Sequence, residues 1–306
     1  MPAINKDGAK PHPYSKLKFR MDRYVTPFLM VSPALIFTAL LIFFPIIYAI
    51  LLSLTKWTAG GGVAGFVGLK NFEQMFKDPI FWIALWNTIK LFIGCLIFET
   101  IIGIYLGILL NKEVRGQKII QALILIPSII ASVAIGMMWI QIFDPTLGMA
   151  NYFIKSLGLK PLVWLGDPKT VLISLGIIDI WEWSPFMALI ITGGMKALPT
   201  EPFEAAQIDG ASWWQTLFYI TLPLLRPVIM VAILLRSVDL IRFFDTVYIM
   251  TQGGPNNAST TLNVYSYQQG FNYLNMSYGS ALMIFLFVLV MLLSFVITKF
   301  RRRITE

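Results

Sequence analysis

The chain has 306 residues, of which 57% are hydrophobic and 13% charged, with a mean hydropathy of +0.72; soluble domains carry about a quarter of their residues as charges, so this composition predicts an integral membrane protein. A formal charge of +8 suits either a nucleic-acid partner or Lys and Arg gathered at one membrane edge, and topology must decide between them. One cysteine, Cys95, excludes an internal disulfide and a cysteine-rich metal site, and one histidine, His12, leaves little from which to build a metal or nucleophilic centre.

Residues 1–24 form a basic arm with Lys6, Lys10, Lys16, Lys18, Arg20 and Arg23 against Asp7 and Asp22. Tyr24 to Thr55 is uncharged and longer than the ~20 helical residues that cross a bilayer core, so it is expected to be a retained first span, not a cleaved leader. Leu54 to Pro79, with its glycine run and Asn71, reads as a loop carrying a short amphipathic piece around Phe72 to Phe76. The second span is expected from Phe81 to Leu110, the third from Ile119 to Phe143 with a kink at Pro127, and the fourth from Val171 to Thr192. Asp144 to Lys169 reads as loop. The fifth span is placed at Pro227 to Met250, an uncharged loop follows from Thr251, and Met276 to Phe300 forms the sixth span ahead of Arg301, Arg302 and Arg303.

Six spans with the N-terminus inside put fifteen Lys and Arg on the inner side, including the arm, Lys112, Arg115, Lys118, Lys196, Arg226, Lys299 and the terminal arginines. The outer loops hold six: Lys56, Lys70, Lys77, Lys155, Lys160 and Lys169. This bias predicts cytoplasmic N- and C-termini and explains the net charge without nucleic acid. Trp57, Trp82, Trp86 and Trp164 near span ends read as interfacial anchors, and Trp181 lies deeper.

Between the fourth and fifth spans, Thr200 is positioned to cap a short helix through Ile208, with Glu201 and Glu204 near its positive end and Gly210 suited to a left-handed stop. Ser212 and Gln215 have capping-box spacing for a second helix, which Pro223 is expected to close near Thr221. The run Glu204-Ala205-Ala206, then Asp209-Gly210-Ala211, Phe218, Ile220, Leu222-Pro223 and Pro227 resembles the EAA loop of the membrane-spanning subunits of bacterial ABC importers. Ser32-Pro33, Phe44-Pro45, Gly68 to Phe72, Asn87-Thr88 and Thr251 to Pro255 extend the likeness to the carbohydrate branch, the maltose, trehalose and glycerol-phosphate permeases, over residues 25–300.

The resemblance implies an all-α permease of six transmembrane helices in a bacterial inner membrane. Glu204, Ala205, Ala206, Asp209 and Gly210 would form a coupling helix in a groove of a cytoplasmic ATPase. It further implies two ATPase subunits that hold ATP and Mg, a second, non-identical permease and an extracytoplasmic solute-binding protein, with no cofactor on this chain. The chain has no G-x-x-x-x-G-K-[ST] phosphate loop and no H-E-x-x-H, so neither ATP hydrolysis nor metallo-hydrolysis is read from its own residues.

Lys90, Glu99, Asp179, Glu182, Arg236, Asp239, Arg242 and Asp245 lie in or near apolar segments, where ionisable residues usually face a cavity or one another. Helical rise places Glu182, Arg236 and Asp239 in a common middle layer. Arg236, Asp239, Leu240 and Phe243 share one face of span five; Glu182, Trp183 and Phe186 are close on span four. In sugar importers that this chain resembles, these helices line the solute cavity. Carboxylates, guanidinium and aromatic faces suit a carbohydrate, and a charged site suits a smaller or anionic solute that Arg236 would meet. The competing reading is that Arg236, Asp239, Arg242 and Asp245 pair with one another as a buried ladder, and a secondary transporter using buried charge pairs for ion coupling is the alternative function.

Overall fold

The computed structural model describes residues 25–58, 62–112 and 115–305, the side chains of 58 and 302–305 excepted. The basic arm expected at residues 1–24 and the side chains of Arg302 and Arg303 lie outside the described residues. The chain divides after Leu51 into two bodies, and each is described by itself.

In the first body, α1 (Thr26–Ser53, whose last two residues belong to the second body) is the first expected span. Its apolar side chains, such as Phe28, Phe37 and Leu40, stand exposed along the helix, the surface expected of a helix whose solvent is lipid.

The second body begins with a hairpin that the sequence reading left as loop. β1 (Thr55–Thr58) pairs antiparallel with β2 (Gly62–Phe66). The amphipathic piece is α2 (Lys70–Lys77), held under the hairpin by Asn71 Nδ2, which donates to the Ser53 and Thr55 carbonyls. Then come α3 (Pro79–Leu110), α4 (Gln117–Ile129), α5 (Ser132–Ile142), the short α6 (Met149–Ser156) inside the expected loop, and α7 (Val171–Lys196). They are followed by α8 (Glu201–Ile208), α9 (Trp213–Thr216), α10 (Leu222–Ile241), α11 (Asp245–Thr251), α12 (Leu262–Tyr267) and α13 (Met276–Thr305).

Among the described residues five helical stretches are long and apolar enough to cross a bilayer: Thr26–Ser53, Pro79–Leu110, Val171–Lys196, Trp213–Thr251 and Met276–Arg301. A sixth crossing is reached if α4 and α5, which meet at 90°, count as one span. The expected kink at Pro127 is corrected here. Pro127 sits within α4, and the break falls at Ile130 and Ala131, both extended.

The second helix of the elbow does not close near Thr221. A π-helical turn (Leu217–Thr221) joins α9 to α10, and the Leu222 amide bonds back to the Leu217 carbonyl. The widened turn takes the chain into Pro223, which has no amide to donate, without ending the helix. At the far end, α10 stops at Ile241 instead of running to Met250. The Arg242 and Phe243 carbonyls freed there accept from Asn263 Nδ2 (2.8 Å) and Thr261 Oγ1 (3.3 Å). The stretch after Thr251, read as loop up to Met276, contains α12 and a π-helical turn (Gln268–Asn272).

The tightest seam joins α3 to α7. A Cβ at Gly103 would lie 2.5 Å from that of Met187, and one at Gly107 2.7 Å from the Ile191 methyl, so both glycines are needed for the helices to approach. Cys95 lies against Gly176, and the contacts therefore advance together: the two helices run parallel. At the α3 start, Asp78 caps through the Ile80 amide and accepts from the hydroxyls of Tyr265 and Tyr278. Asn87 Nδ2 donates to the Asn257 and Thr260 carbonyls, and Thr88 Oγ1 accepts from the Leu262 amide, which clamps the α11–α12 segment onto α3.

Candidate functional site

Two places on the second body hold the candidate site residues. The first is built where α3, α7 and α10 meet. Arg236 on α10 donates through Nε to Glu99 Oε2 (2.7 Å), and through Nη2 to Glu99 Oε1 (3.2 Å) and Asp179 Oδ1 (2.6 Å). The Trp183 ring covers the guanidinium at 4.6 Å and meets Phe186 edge-on at 5.8 Å. Glu99 and Asp179 are fully buried and Arg236 is 2% exposed. Such a charge is tolerable in a low-dielectric interior only with partners of this quality, since the effective desolvation cost is several kcal/mol per ion. Glu182, one turn beyond Asp179, accepts from Ser132 Oγ at 2.9 Å, at the first residue of α5 after the bend from α4. Glu182 Oε2 and Asp179 Oδ2 are buried without a partner among the described residues.

The structure thus brings Arg236, Trp183 and Phe186 together and sets Glu182 on the same α7 face. It does not bring the rest of span five to them. Asp239 is exposed and pairs with Arg242 at 2.9 Å, Leu240 is buried in the apolar core with Leu175, Ile178 and Val247, and Phe243 packs on that core. The four-residue ladder is corrected accordingly: among the described residues Arg236 pairs with Glu99 and Asp179 on other helices, Arg242 pairs with Asp239, and Asp245 is exposed. Neither partner of Arg236 is among the candidate solute residues, although the sequence shows both as charges within apolar segments. A single-helix periodicity carries no information about a partner 137 residues away. Cys95, Glu99 and Asp179 offer ligand atoms within 4.8 Å of one another, but Arg236 already bonds both carboxylates.

The second place is the elbow. α8 spans the expected residues, Glu201–Ile208, although Thr200 makes no side-chain cap. Gly210 is left-handed at φ +69°. Its amide bonds to the Gln207 carbonyl (3.2 Å) and that of Ala211 to Ala206 (2.9 Å), the paired closure of a Schellman stop. Ser212 and Gln215 form the reciprocal capping box that opens α9. Glu204, Ala205, Asp209 and Gly210 are exposed, and Ile208 is 87% exposed, while Ala206 packs into the chain itself. Trp213, Trp214, Phe218 and Tyr219 continue the exposed surface past the elbow.

Residues 99–306 match the family model described as the binding-protein-dependent transport system inner membrane component. The chain is 34% identical over 291 residues to the trehalose/maltose transport system permease protein MalF of Thermococcus litoralis, covering 94% of this chain and 97% of that one. It is 34% identical over 264 residues to the sulfoquinovosyl glycerol transport system permease protein SmoG of Agrobacterium fabrum, covering 86% of each. Among solved structures, a chain of a bacterial ABC transporter involved in the import of the acidic polysaccharide alginate superposes with a TM-score of 0.82 at 23% identity, over 95% of this chain and 100% of that one.

Proposed function

Because the chain belongs to the family of binding-protein-dependent transport system inner membrane components, we propose that it is the permease subunit through which an ABC importer moves a carbohydrate or carbohydrate-like solute across the bacterial inner membrane. The observation that carries this reading is the elbow. An eight-residue helix with Ile208 almost wholly exposed and only Ala206 buried gains little from its own chain and fits a groove on another protein. Glu204, Ala205, Asp209 and Gly210 form its outward surface, and the Schellman stop and capping box hold its angle to α10, so a displacement of the helix passes to the spans as a rigid lever. The partner is a pair of cytoplasmic ATPase subunits, which hold ATP and Mg; this chain supplies no catalytic group and binds no cofactor.

Transport proceeds by alternating access. ATPase closure moves the elbow, the spans rock against a second permease, and the cavity opens to a solute-binding protein outside; hydrolysis restores the inward-open state. The excess of Lys and Arg on the inner loops supports six crossings with both termini cytoplasmic, an arrangement in which the elbow faces the ATP side. Trp183 and Phe186, both part-exposed, offer aromatic faces to a sugar ring, while Arg236 and Glu182 lie buried behind them and reach its hydroxyls only when the spans rock apart. The names of the relatives, trehalose/maltose and sulfoquinovosyl glycerol permeases, support that solute class. With Glu99 and Asp179 balancing its charge, Arg236 acts there as a fixed, oriented donor and does not require an anionic solute.

A pull-down of the tagged chain in mild detergent, repeated with Glu204→Lys, tests the reading. Recovery of an ATPase and a second permease, with the ATPase lost in the variant, is expected. Uptake by this chain alone in liposomes without ATP would instead establish a secondary transporter.

A further inference from the structure

An apolar cavity lies across α7 from Asp179 and Glu182 and meets the charge cluster at Cys95. It has a volume of about 1210 Å³ and is walled by α3, α4 and α7. On α7 its lining recurs as Ile173, Ile177, Ile180 and Ser184, whereas Asp179, Glu182, Trp183 and Phe186 occupy the other face of the helix. Apart from Lys90 and Lys169, the side chains on its walls with a polar atom are Cys95, Trp181 and Ser184. A sugar would find almost no hydrogen-bonding partner there.

The two lysines sit at one end. Cys95 lies beside Gly176 and Gly103 beside Met187, and this register puts Lys90 level with the first turn of α7, hence with Lys169. Both are exposed, and neither belongs to an ion pair among the described residues. From Lys90 the groove follows α3 to Leu106, sixteen residues on, or ~24 Å at helical rise. That exceeds the ~15 Å of one leaflet, half the bilayer core. Gly94 hollows the wall, since nothing lies within 4 Å of a Cβ built there.

We propose that this groove binds one anionic glycerophospholipid, with its phosphate held between Lys90 and Lys169 and its tails laid along α3 and α7 toward Leu106. Charge complementarity selects this occupant. An uncharged lipid or an apolar helix fills the slot but leaves the two ammonium groups at its end without an anion, whereas a phosphate answers both, Lys169 standing just ahead of the α7 start. The groove shares Cys95 with the charge cluster but none of Glu182, Trp183, Phe186 and Arg236.

The test uses the intact transporter, purified with its partner subunits and exposed to equal amounts of phosphatidylglycerol and phosphatidylcholine. Native mass spectrometry then counts lipids retained per copy of this chain. One phosphatidylglycerol is expected on the wild type. Retention falls roughly fivefold for Lys90→Gln or Lys169→Gln and about thirtyfold for both, at what one basic residue near an anionic membrane contributes. Gly94→Leu, which fills the groove and leaves both lysines, abolishes retention as well. Equal retention of the two lipids, or retention unchanged in the lysine variants, overturns the proposal. So does a photocrosslinker at Ile177 that joins a helix of another subunit in place of lipid.

Discussion

Arg236 and Asp179 stand on different helices, 57 residues apart in sequence, and their side chains meet at 2.6 Å in the interior of the second body. Removing the guanidinium leaves Asp179 and Glu99 as buried, unpaired carboxylates. Arg236→Met is therefore expected to destabilise the purified complex by ~3–5 kcal/mol, whereas Arg242→Met, from an exposed i,i+3 pair, costs less than ~1 kcal/mol. A triple variant with Glu99→Gln and Asp179→Asn added recovers most of the loss. Thermal unfolding in detergent measures this, and equal losses for the two arginines would contradict it.

The α3–α7 seam predicts a contrast between glycines. At Gly103 a methyl group meets the Met187 Cβ at 2.5 Å, and at Gly94 it meets nothing within 4 Å. Gly103→Ala should cost ~1–3 kcal/mol through overpacking, and Gly94→Ala should be neutral or slightly stabilising, as alanine usually is in a helix. Folded yield and unfolding midpoint read both; a neutral Gly103→Ala would mean that the helices slide apart freely.

Coupling through the elbow depends on the left-handed Gly210. A side chain there meets no neighbour within 4 Å, so the penalty is backbone strain alone, ~1–2 kcal/mol. Gly210→Val should leave a folded permease whose solute-stimulated ATP hydrolysis in the assembled transporter is reduced. Gly210→Asn, which tolerates this conformation better, should retain more. If valine and asparagine behave alike, the turn geometry is not what matters.

Tyr265 titrates into an alkaline prediction. Burial, and next the bond to Asp78, push its hydroxyl above the ordinary tyrosine value of 10.0. Below that value the folded and unfolded tyrosines are both neutral. As pH rises past it, the unfolded residue ionises first, so the folded state loses stability. Tyr265→Phe should flatten this decline between pH 9 and pH 11 while costing ~1.5–3 kcal/mol near neutrality for the lost bond to a carboxylate. Denaturation curves of both proteins across that range check the sign.

The spans and the elbow were legible because their causes are local. A run of apolar residues from Thr26 to Ser53, or from Pro79 to Leu110, is committed to lipid or core by its own transfer free energy. Ser212 with Gln215, and Gly210 behind Ile208, close their helix ends with atoms a few residues away. Tertiary structure decided the rest. The break after Ile241 has no proline or glycine to announce it, because the carbonyls it frees are satisfied by Thr261 and Asn263. The same holds for the charges. Spacing along α10 grouped Arg236 with Asp239, Leu240 and Phe243, but a buried guanidinium takes the carboxylates that packing brings within reach. Those belong to Glu99 and Asp179 on two other helices.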